Sequence, residues 1–571
     1  MAIDTQAWPW LGSYPADVAW DTGFAERSLL AYFDDSVAQF PDRPCLDFLG
    51  KGYSYREVGD LVRRAAQGLA ALGVGSGTRV GLMLPNTPYY VIGYFAVLRA
   101  GGTVVNINPL YAERELHHLI EDSGAEVVLT LDLRPIWDVL ERLRGRTTLK
   151  TVVTCPMAEI LPFAKSLLYR AFRRRQSAHP MQRKGHVWFG ALVDNDGSMP
   201  ARIIDPKRDV AVLQYTGGTT GIPKGAMLSH ANLVANMEQC RAWFPHFTPG
   251  AERTVAVLPF FHVFAMTVQL NLPISIGEEI VLLPRFELNQ LLKTIHRKRP
   301  TTFAGVPTLF TAMLSAKHLK RYDLTSIRSC ISGGAPLPVE LKAQFEALTS
   351  CTLVEGYGLS ETSPVVACNP LSGVNKPGSV GMPLPGTVVE IVALDGSDRV
   401  LPTGERGEVA VRGPQVMLGY WKNPEATAQV LRGGRLHTGD VGFLDRDGYL
   451  FLVDRIKDMI KAGGYNVYPR MIEEAIYSNP KVKECIVIGV PDRYRGQTIK
   501  AFVALHPGQH LDEAELIAFL KDKLSPIEMP KLVEFRESLP KTLIGKPSKQ
   551  ALLAEEEARA ARAKQADKSG A

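Results

Sequence analysis

The residues best suited to chemistry lie in Tyr215-Thr-Gly-Gly-Thr-Thr-Gly-Ile-Pro-Lys-Gly225. Three glycines and three threonines fill six successive positions, and Lys224 adds a positive charge at fixed reach. Such a loop exposes amides and hydroxyls. Glycine lets the backbone approach an anion closely, so the stretch suits phosphate oxygens. It is not a Walker A loop: no Ser or Thr follows Lys224, and the first glycine spacing is wrong. A Gly/Thr-rich turn with no ligand is the plainer alternative, but the length and order of the run argue against it. An apolar strand, Val210–Leu213, is expected before the loop, and a helix is expected to open near Ser229 after it.

Further polar clusters follow in order. Gly333-Gly334-Ala335-Pro336 precedes Val354-Glu-Gly-Tyr-Gly-Leu-Ser-Glu-Thr362, and Gly439-Asp440, Arg455 and Pro540-Lys-Thr-Leu-Ile-Gly-Lys546 come later. Taken singly, each reads as a turn or a surface ion pair. Together, from about residue 29 to 546, they resemble the adenylate-forming superfamily of acyl-CoA synthetases, peptide-synthetase adenylation domains and firefly-type luciferases. Within it the chain is most similar to bacterial long-chain fatty acid–CoA ligases.

That resemblance implies a two-step reaction using ATP, Mg2+ and coenzyme A as co-substrate. A carboxylate attacks the α-phosphate to give acyl-AMP and pyrophosphate. The CoA thiolate then expels AMP. Both steps build negative charge, which a metal ion, a lysine and loop donors offset. The catalytic residues implied are Lys546, Glu361, Thr216 and Lys224, with Glu361 as the metal ligand. Magnesium takes one or two carboxylates plus substrate phosphates, which suits a lone Glu. Nucleotide contacts are implied for Thr216, Gly217, Gly218, Thr219, Thr220, Gly221, Lys224, Gly334, Ala335, Glu355, Gly356, Tyr357, Gly358, Ser360, Asp440, Arg455 and Lys546. Tyr357 stacks on adenine in this scheme, and Asp440 accepts the ribose hydroxyls. Lys541 and Lys549 stand close enough to Lys546 to be alternatives. Gly463, Gly464 and Tyr465 are implied to face CoA, and Lys457 to be the pivot of a rotating C-terminal domain.

Leu258-Pro-Phe-Phe-His-Val-Phe-Ala-Met266 resembles the family's acyl-pocket lining. His262, Phe264, Met266 and Gly334 are its implied contacts, and a core strand end with a satisfied His is the alternative. Residues 157–190 read as an insertion. Within 161–175, Phe163/Ala164, Leu167/Leu168 and Ala171/Phe172 share a helical stripe beside Lys165, Arg170 and Arg173–Arg175. That composition suits peripheral contact with a membrane surface. It equally suits a basic helix packed on the protein.

The elements that must position these residues follow an alternating pattern. Tyr55–Leu72, Tyr89–Arg99 and Leu116–Asp122 have helical signals. Arg79–Leu84, Thr103–Ile107, Glu126–Leu131, Arg253–Leu258, Thr301–Val306 and Ser329–Ser332 read as buried strands. Alternation of this kind implies an α/β fold with a largely parallel sheet. Turn-punctuated short strands over 378–455 indicate a β-rich subdomain, and the last 115 or so residues a small α+β domain. The expected division is an N-terminal AMP- and acyl-binding domain (1–453), a hinge (454–457) and a mobile C-terminal domain (458–571). Ala551–Ala571 reads as a solvated, frayed helix.

A chain of 571 residues with 46% hydrophobic and 22% charged residues is ordinary for a multidomain enzyme. A net charge of +6 gives no reason to expect nucleic acid as a partner. The seven cysteines form no CxxC pair, so buried reduced thiols are expected. MAIDTQAWPW lacks a signal-peptide pattern. The expected location is the cytoplasm, peripherally on the inner face of the membrane if the basic insertion binds it. A homodimer is expected from family habit. The competing readings are a dicarboxylate or aromatic acid–CoA ligase, a fatty acyl-AMP ligase loading a carrier protein, and an inactive sensor. The presence of Lys546, Glu361 and the Thr-Gly loop argues against the last.

Overall fold

The structure is a computed structural model that describes residues 8–173, 178, 185–216, 223–462, 465–492, 496–541 and 548–569. The chain divides into two compact units. The first comprises Met1–Val389, Val411–Leu436 and Asp447–Tyr449; the second comprises Glu390–Ala410, His437–Arg446 and Leu450–Ala571.

The first unit holds two large sheets. In the seven-stranded sheet, Thr151–Cys155, Ala125–Leu131, Arg79–Met83, Thr103–Asn106 and Val210–Thr216 run parallel in that spatial order. Lys224–Ser229 closes one edge in the antiparallel sense. In the nine-stranded sheet the parallel centre is Thr352–Gly358, Ser329–Ser332, Thr302–Gly305, Arg253–Ala256, Glu279–Leu282 and Pro44–Phe48. These strands are buried at nearly every position because both faces are covered, as parallel sheets require.

The expected helices form, with local causes. Tyr55–Ala71 opens on a capping box: the Ser54 hydroxyl accepts from Glu57 N, and the Glu57 carboxylate accepts from Ser54 N at 2.7 Å. Pro88–Arg99 has Pro at its first position and buries every residue from Pro88 to Leu98. Its flat, all-round apolar surface fits a helix enclosed by other elements.

In the second unit, Asp440–Leu444 pairs antiparallel with Leu450–Arg455. The C-terminal part is an α+β layer in which Val482–Asp492 and Gly496–Leu505 form a long ladder. Pro469–Tyr477 and Glu513–Leu520 cover it through Ile472, Ile476, Leu516 and Leu520. The terminal helix, Lys549–Ser569, corrects the expectation of a solvated tail. Leu552 is fully buried, and Glu556 pairs with Lys500 at 2.9 Å. Glu555 pairs with Arg536 at 2.7 Å, while Arg559 pairs with Glu534 and Glu556. Glu555, Glu556 and Arg559 therefore serve docking rather than the i,i+4 support that the Glu555–Arg559 spacing suggests.

All seven cysteines are buried and unbridged. Among the described residues no helix is long and apolar enough to cross a membrane.

Candidate active site

The phosphate stretch is partly strand. Val210–Thr216 continues through Tyr215 and Thr216, and a new strand begins at Lys224, with Thr216 paired to Lys224 and Tyr215 to Gly225. The expected loop is therefore shorter at both ends. Cross-strand packing explains this: a Cβ on Gly225 would lie 3.1 Å from the Tyr215 ring, so glycine lets the two strands close. The Tyr215 hydroxyl donates to Asp122. Burial, then that carboxylate, push the phenol well above its ordinary value, so it is a neutral packing residue. Gly217, Gly218, Thr219, Thr220 and Gly221 lie outside the described residues.

A segment absent from the sequence expectations straps this hairpin to Glu361. Trp421 N donates to Gly225 O at 2.8 Å, Met227 N to Gly419 O at 2.9 Å, and Met417 N to Glu361 O at 2.8 Å. The Tyr420 hydroxyl donates to Glu361 Oε1 at 2.8 Å, and Lys224 Nζ stands 5.3 Å from the centre of the Tyr420 ring. Tyr420 thus touches both the lysine of the phosphate stretch and the carboxylate expected to hold magnesium. An aromatic pair between Pro414 and Pro424 was the available signal, but nothing local tied it to Glu361, 59 positions away.

Other expected residues gather at the carboxyl ends of the nine-stranded sheet, where open parallel sheets bind ligands. Ser329–Ser332 delivers Gly333, Gly334 and Ala335, and Thr352–Gly358 delivers Glu355, Gly356, Tyr357 and Gly358. Ser360 and Glu361, both half-buried, follow in a single 3-10 turn. A Cβ on Gly333 would stand 3.0 Å from the Phe264 ring, so the small-residue loop and the acyl stretch touch. A Cβ on Gly358 would stand 2.0 Å from Pro364 O, which leaves no room for a side chain. Phe264, Met266 and Tyr357 are buried, and His262 Nδ1 accepts from Phe264 N at 3.3 Å.

The acyl stretch is held by polar side chains that the sequence did not flag. Asn86 Nδ2 donates to Leu258 O at 2.8 Å, and Phe260 N donates to Asn86 Oδ1 at 2.9 Å. Gln214 Nε2 donates to Phe261 O at 2.9 Å and Tyr90 OH to Phe260 O at 2.9 Å. Each of these buried groups would cost about 1–3 kcal/mol if left unpaired, so the loop has a single settled path.

The second unit holds its own set. Arg455 Nε lies 2.9 Å from Asp440 Oδ1 across neighbouring strands. Asp454 accepts from Arg455 N and from Arg470 N, both at 2.7 Å, and so caps the helix that begins at Pro469. Burial lowers the Lys457 ammonium, with Asp458 opposing the shift. Lys541 pairs with Glu484 at 2.6 Å and Lys549 with Glu473 at 3.2 Å, so both alternatives to Lys546 are engaged elsewhere. Lys546, Gly463 and Gly464 lie outside the described residues, as does the side chain of Tyr465.

Among the described residues no cluster of three or more His, Cys, Asp or Glu side chains could hold a metal by itself. A magnesium ion bound by one carboxylate and by phosphate oxygens needs no such cluster. Glu361 fits that part, because Tyr420 occupies only Oε1 and thereby orients the carboxylate.

The AMP-binding enzyme family matches residues 33–421, and the AMP-binding enzyme C-terminal domain matches residues 471–546. A long-chain-fatty-acid–CoA ligase of Bacillus subtilis is 43% identical over 551 residues, covering 96% of this chain and 98% of its own. Among solved structures, ATP-bound MatB from Rhodopseudomonas palustris is 30% identical, with a TM-score of 0.81, covering 92% of this chain and 98% of its own. The anthranilate CoA ligase AuaEII in complex with anthranoyl-AMP is 27% identical, with a TM-score of 0.83, covering 95% and 99%.

Proposed function

The chain belongs to the AMP-binding enzyme family, and from that premise we propose that it converts ATP, a long-chain fatty acid and coenzyme A to acyl-CoA, AMP and pyrophosphate. The observation that carries this reading is the joining of Lys224, Tyr420 and Glu361 beside a loop, Gly333–Ala335, packed on the apolar Phe264.

Thr216 and Lys224, at the two ends of the phosphate stretch, bind the phosphates. Glu361 would hold a magnesium ion together with phosphate oxygens, and that ion would supply charge neutralisation at the triphosphate. Tyr357 and Gly358 receive the adenine, and Asp440 and Arg455 the ribose. Phe264 and Met266 exclude water from the acid while His262 faces its carboxylate. Lys546 neutralises charge as pyrophosphate leaves. Rotation about 454–457, with Lys457 as pivot, then brings Gly463, Gly464 and Tyr465 to the acyl-AMP so that CoA can attack. Hinges of this kind are short element-terminal segments.

Peripheral contact with the inner face of the membrane belongs to the same proposal. Phe163–Arg173 is a helix whose Phe163, Leu167, Leu168 and Phe172 are 86, 62, 58 and 80% exposed. Lys165 Nζ donates to Leu49 O, which supports a helix fixed at its base with its apolar stripe outward. Acids that partition into bilayers would be met there.

Separating the half-reactions tests the scheme. K546A is expected to lose acyl-adenylate formation, followed as ATP–pyrophosphate exchange, while still making thioester from supplied acyl-AMP and CoA. Equal loss of both would overturn the two-state assignment.

A further inference from the structure

The first unit contains a cavity of about 30 Å3. Its walls are Phe244, Val268, Leu272, Phe303 and Ile331, all buried. Its end is polar: Glu278, Thr302 and Thr254. The cavity shares a helical run with the acyl stretch. Phe264, Val268 and Leu272 recur every four residues on one continuous helical run, from the ring against Gly333 to the cavity wall. Ala304 and Ile331, at the other wall, come one and two residues before Gly305 and Gly333.

Glu278 is out of place in such surroundings. It is 1% exposed, and no cation pairs with it among the described residues. The Thr302 hydroxyl donates to its Oε1 at 2.8 Å, and no described residue donates to Oε2. Burial pushes its carboxyl up to about 8, against the Thr302 hydrogen bond and with the nearby Glu252 carboxylate adding to the rise. A neutral carboxylic acid keeps a proton it can donate, and here that O–H belongs to a group at the polar end of a largely apolar space. Oε2 is left without a donor among the described residues, and an unmet buried oxygen is costly, so the arrangement favours an occupant whose hydroxyl can meet it. The volume admits a small terminal group or a water, not a further length of chain.

Resting on the ligase reading above, we propose that this cavity receives the far end of the acyl chain and that Glu278, with Thr302, hydrogen-bonds a hydroxyl carried there. The enzyme then takes ω-hydroxylated long-chain acids as well as, or better than, plain ones of matching length. Glu278 acts as a specificity-determining residue; it takes no part in either half-reaction.

The test compares kcat/KM for plain and ω-hydroxylated acids in pairs of equal length, from octanoate to stearate, in the wild type, E278L, E278Q and T302V. The expected result is a hydroxylated-to-plain ratio that peaks at one length in the wild type. In E278L that peak falls by about tenfold, the loss of one hydrogen bond, with plain-acid turnover kept. E278Q, which retains a donor, keeps most of the preference, and T302V loses part of it. A ratio that shows no peak, or is unchanged in E278L and T302V at every length, overturns the proposal and leaves the cavity to water. Should E278L fail to fold, the ratio in T302V decides between the same two outcomes. Failure of the ligase reading looks different: plain acids themselves would give no CoA-dependent AMP.

Discussion

The Tyr420 hydroxyl donates to Glu361 Oε1 at 2.8 Å, joining a residue of the 415–421 strap to the carboxylate that follows Ser360. With Lys224 5.3 Å from the same ring, one phenol contacts both an anion and a cation that, in the proposed function, meet a triphosphate. In that proposal the pairing is preorganisation: Glu361 would be aimed before the nucleotide arrives, with less side-chain entropy to lose at the moment of reaction.

Y420F removes only the donor. The ring stays over Lys224, so stability should change by less than about 1 kcal/mol. Adenylation should slow roughly tenfold, equivalent to about 1.4 kcal/mol of transition-state stabilisation, with a raised magnesium requirement. ATP–pyrophosphate exchange against magnesium concentration measures both. An unchanged magnesium dependence would remove Tyr420 from the site.

Gly358 has no space for a methyl group, since Pro364 O stands 2.0 Å from the Cβ position. G358A should therefore shift the turn that carries Ser360 and Glu361. A loss of roughly 1–3 kcal/mol is expected from overpacking, seen as a lower Tm, together with a fall in adenylation greater than the stability loss explains. A fully active, equally stable G358A would show that the turn is plastic.

The exposed stripe of Phe163–Arg173 predicts binding to anionic vesicles that weakens with salt. L167D/F172D should lose co-sedimentation with such vesicles and keep its turnover of acid presented in detergent. Binding unaffected by the double substitution would place the contact elsewhere.

Glu278 makes stability fall as pH rises. Its carboxyl lies at about 8 in the folded protein against 4.5 for an unperturbed glutamate. Between those values the native state holds a proton that the unfolded chain releases. The slope is therefore negative there, at most about 1.4 kcal/mol per pH unit. Tyr55 OH bonds the backbone carbonyl of Glu278, and the Glu252–Arg328 pair at 2.6 Å stands nearby; both persist through this range. E278Q should flatten the decline of Tm from pH 5 to 8. Parallel Tm–pH profiles for E278Q and the wild type would contradict a buried neutral carboxyl.

What the sequence disclosed was local. Val210–Leu213, Ser329–Ser332 and the helices around Tyr55 and Tyr89 are uniform or periodic over their own length, so neighbours suffice to read them. The Gly/Thr run and Val354–Thr362 carry their chemistry within a few residues. What it withheld depends on distant partners. Gly225 is a strand residue because of the Tyr215 ring, Tyr420 matters because of Glu361, and Asn86 and Gln214 matter because of main-chain groups of the acyl stretch. The terminal helix looked solvated because its charges are regular, while the partners that dock it, Lys500, Glu534 and Arg536, lie on earlier elements.

The most direct test of the central claim follows AMP release from purified protein given ATP, magnesium and one straight-chain acid at a time, from acetate to oleate, with and without CoA. The expected result is AMP formation that requires CoA, matches thioester formed mole for mole, and rises to a maximum at long chains. A maximum at acetate, or acyl-AMP that accumulates with no thioester when CoA is present, would contradict it.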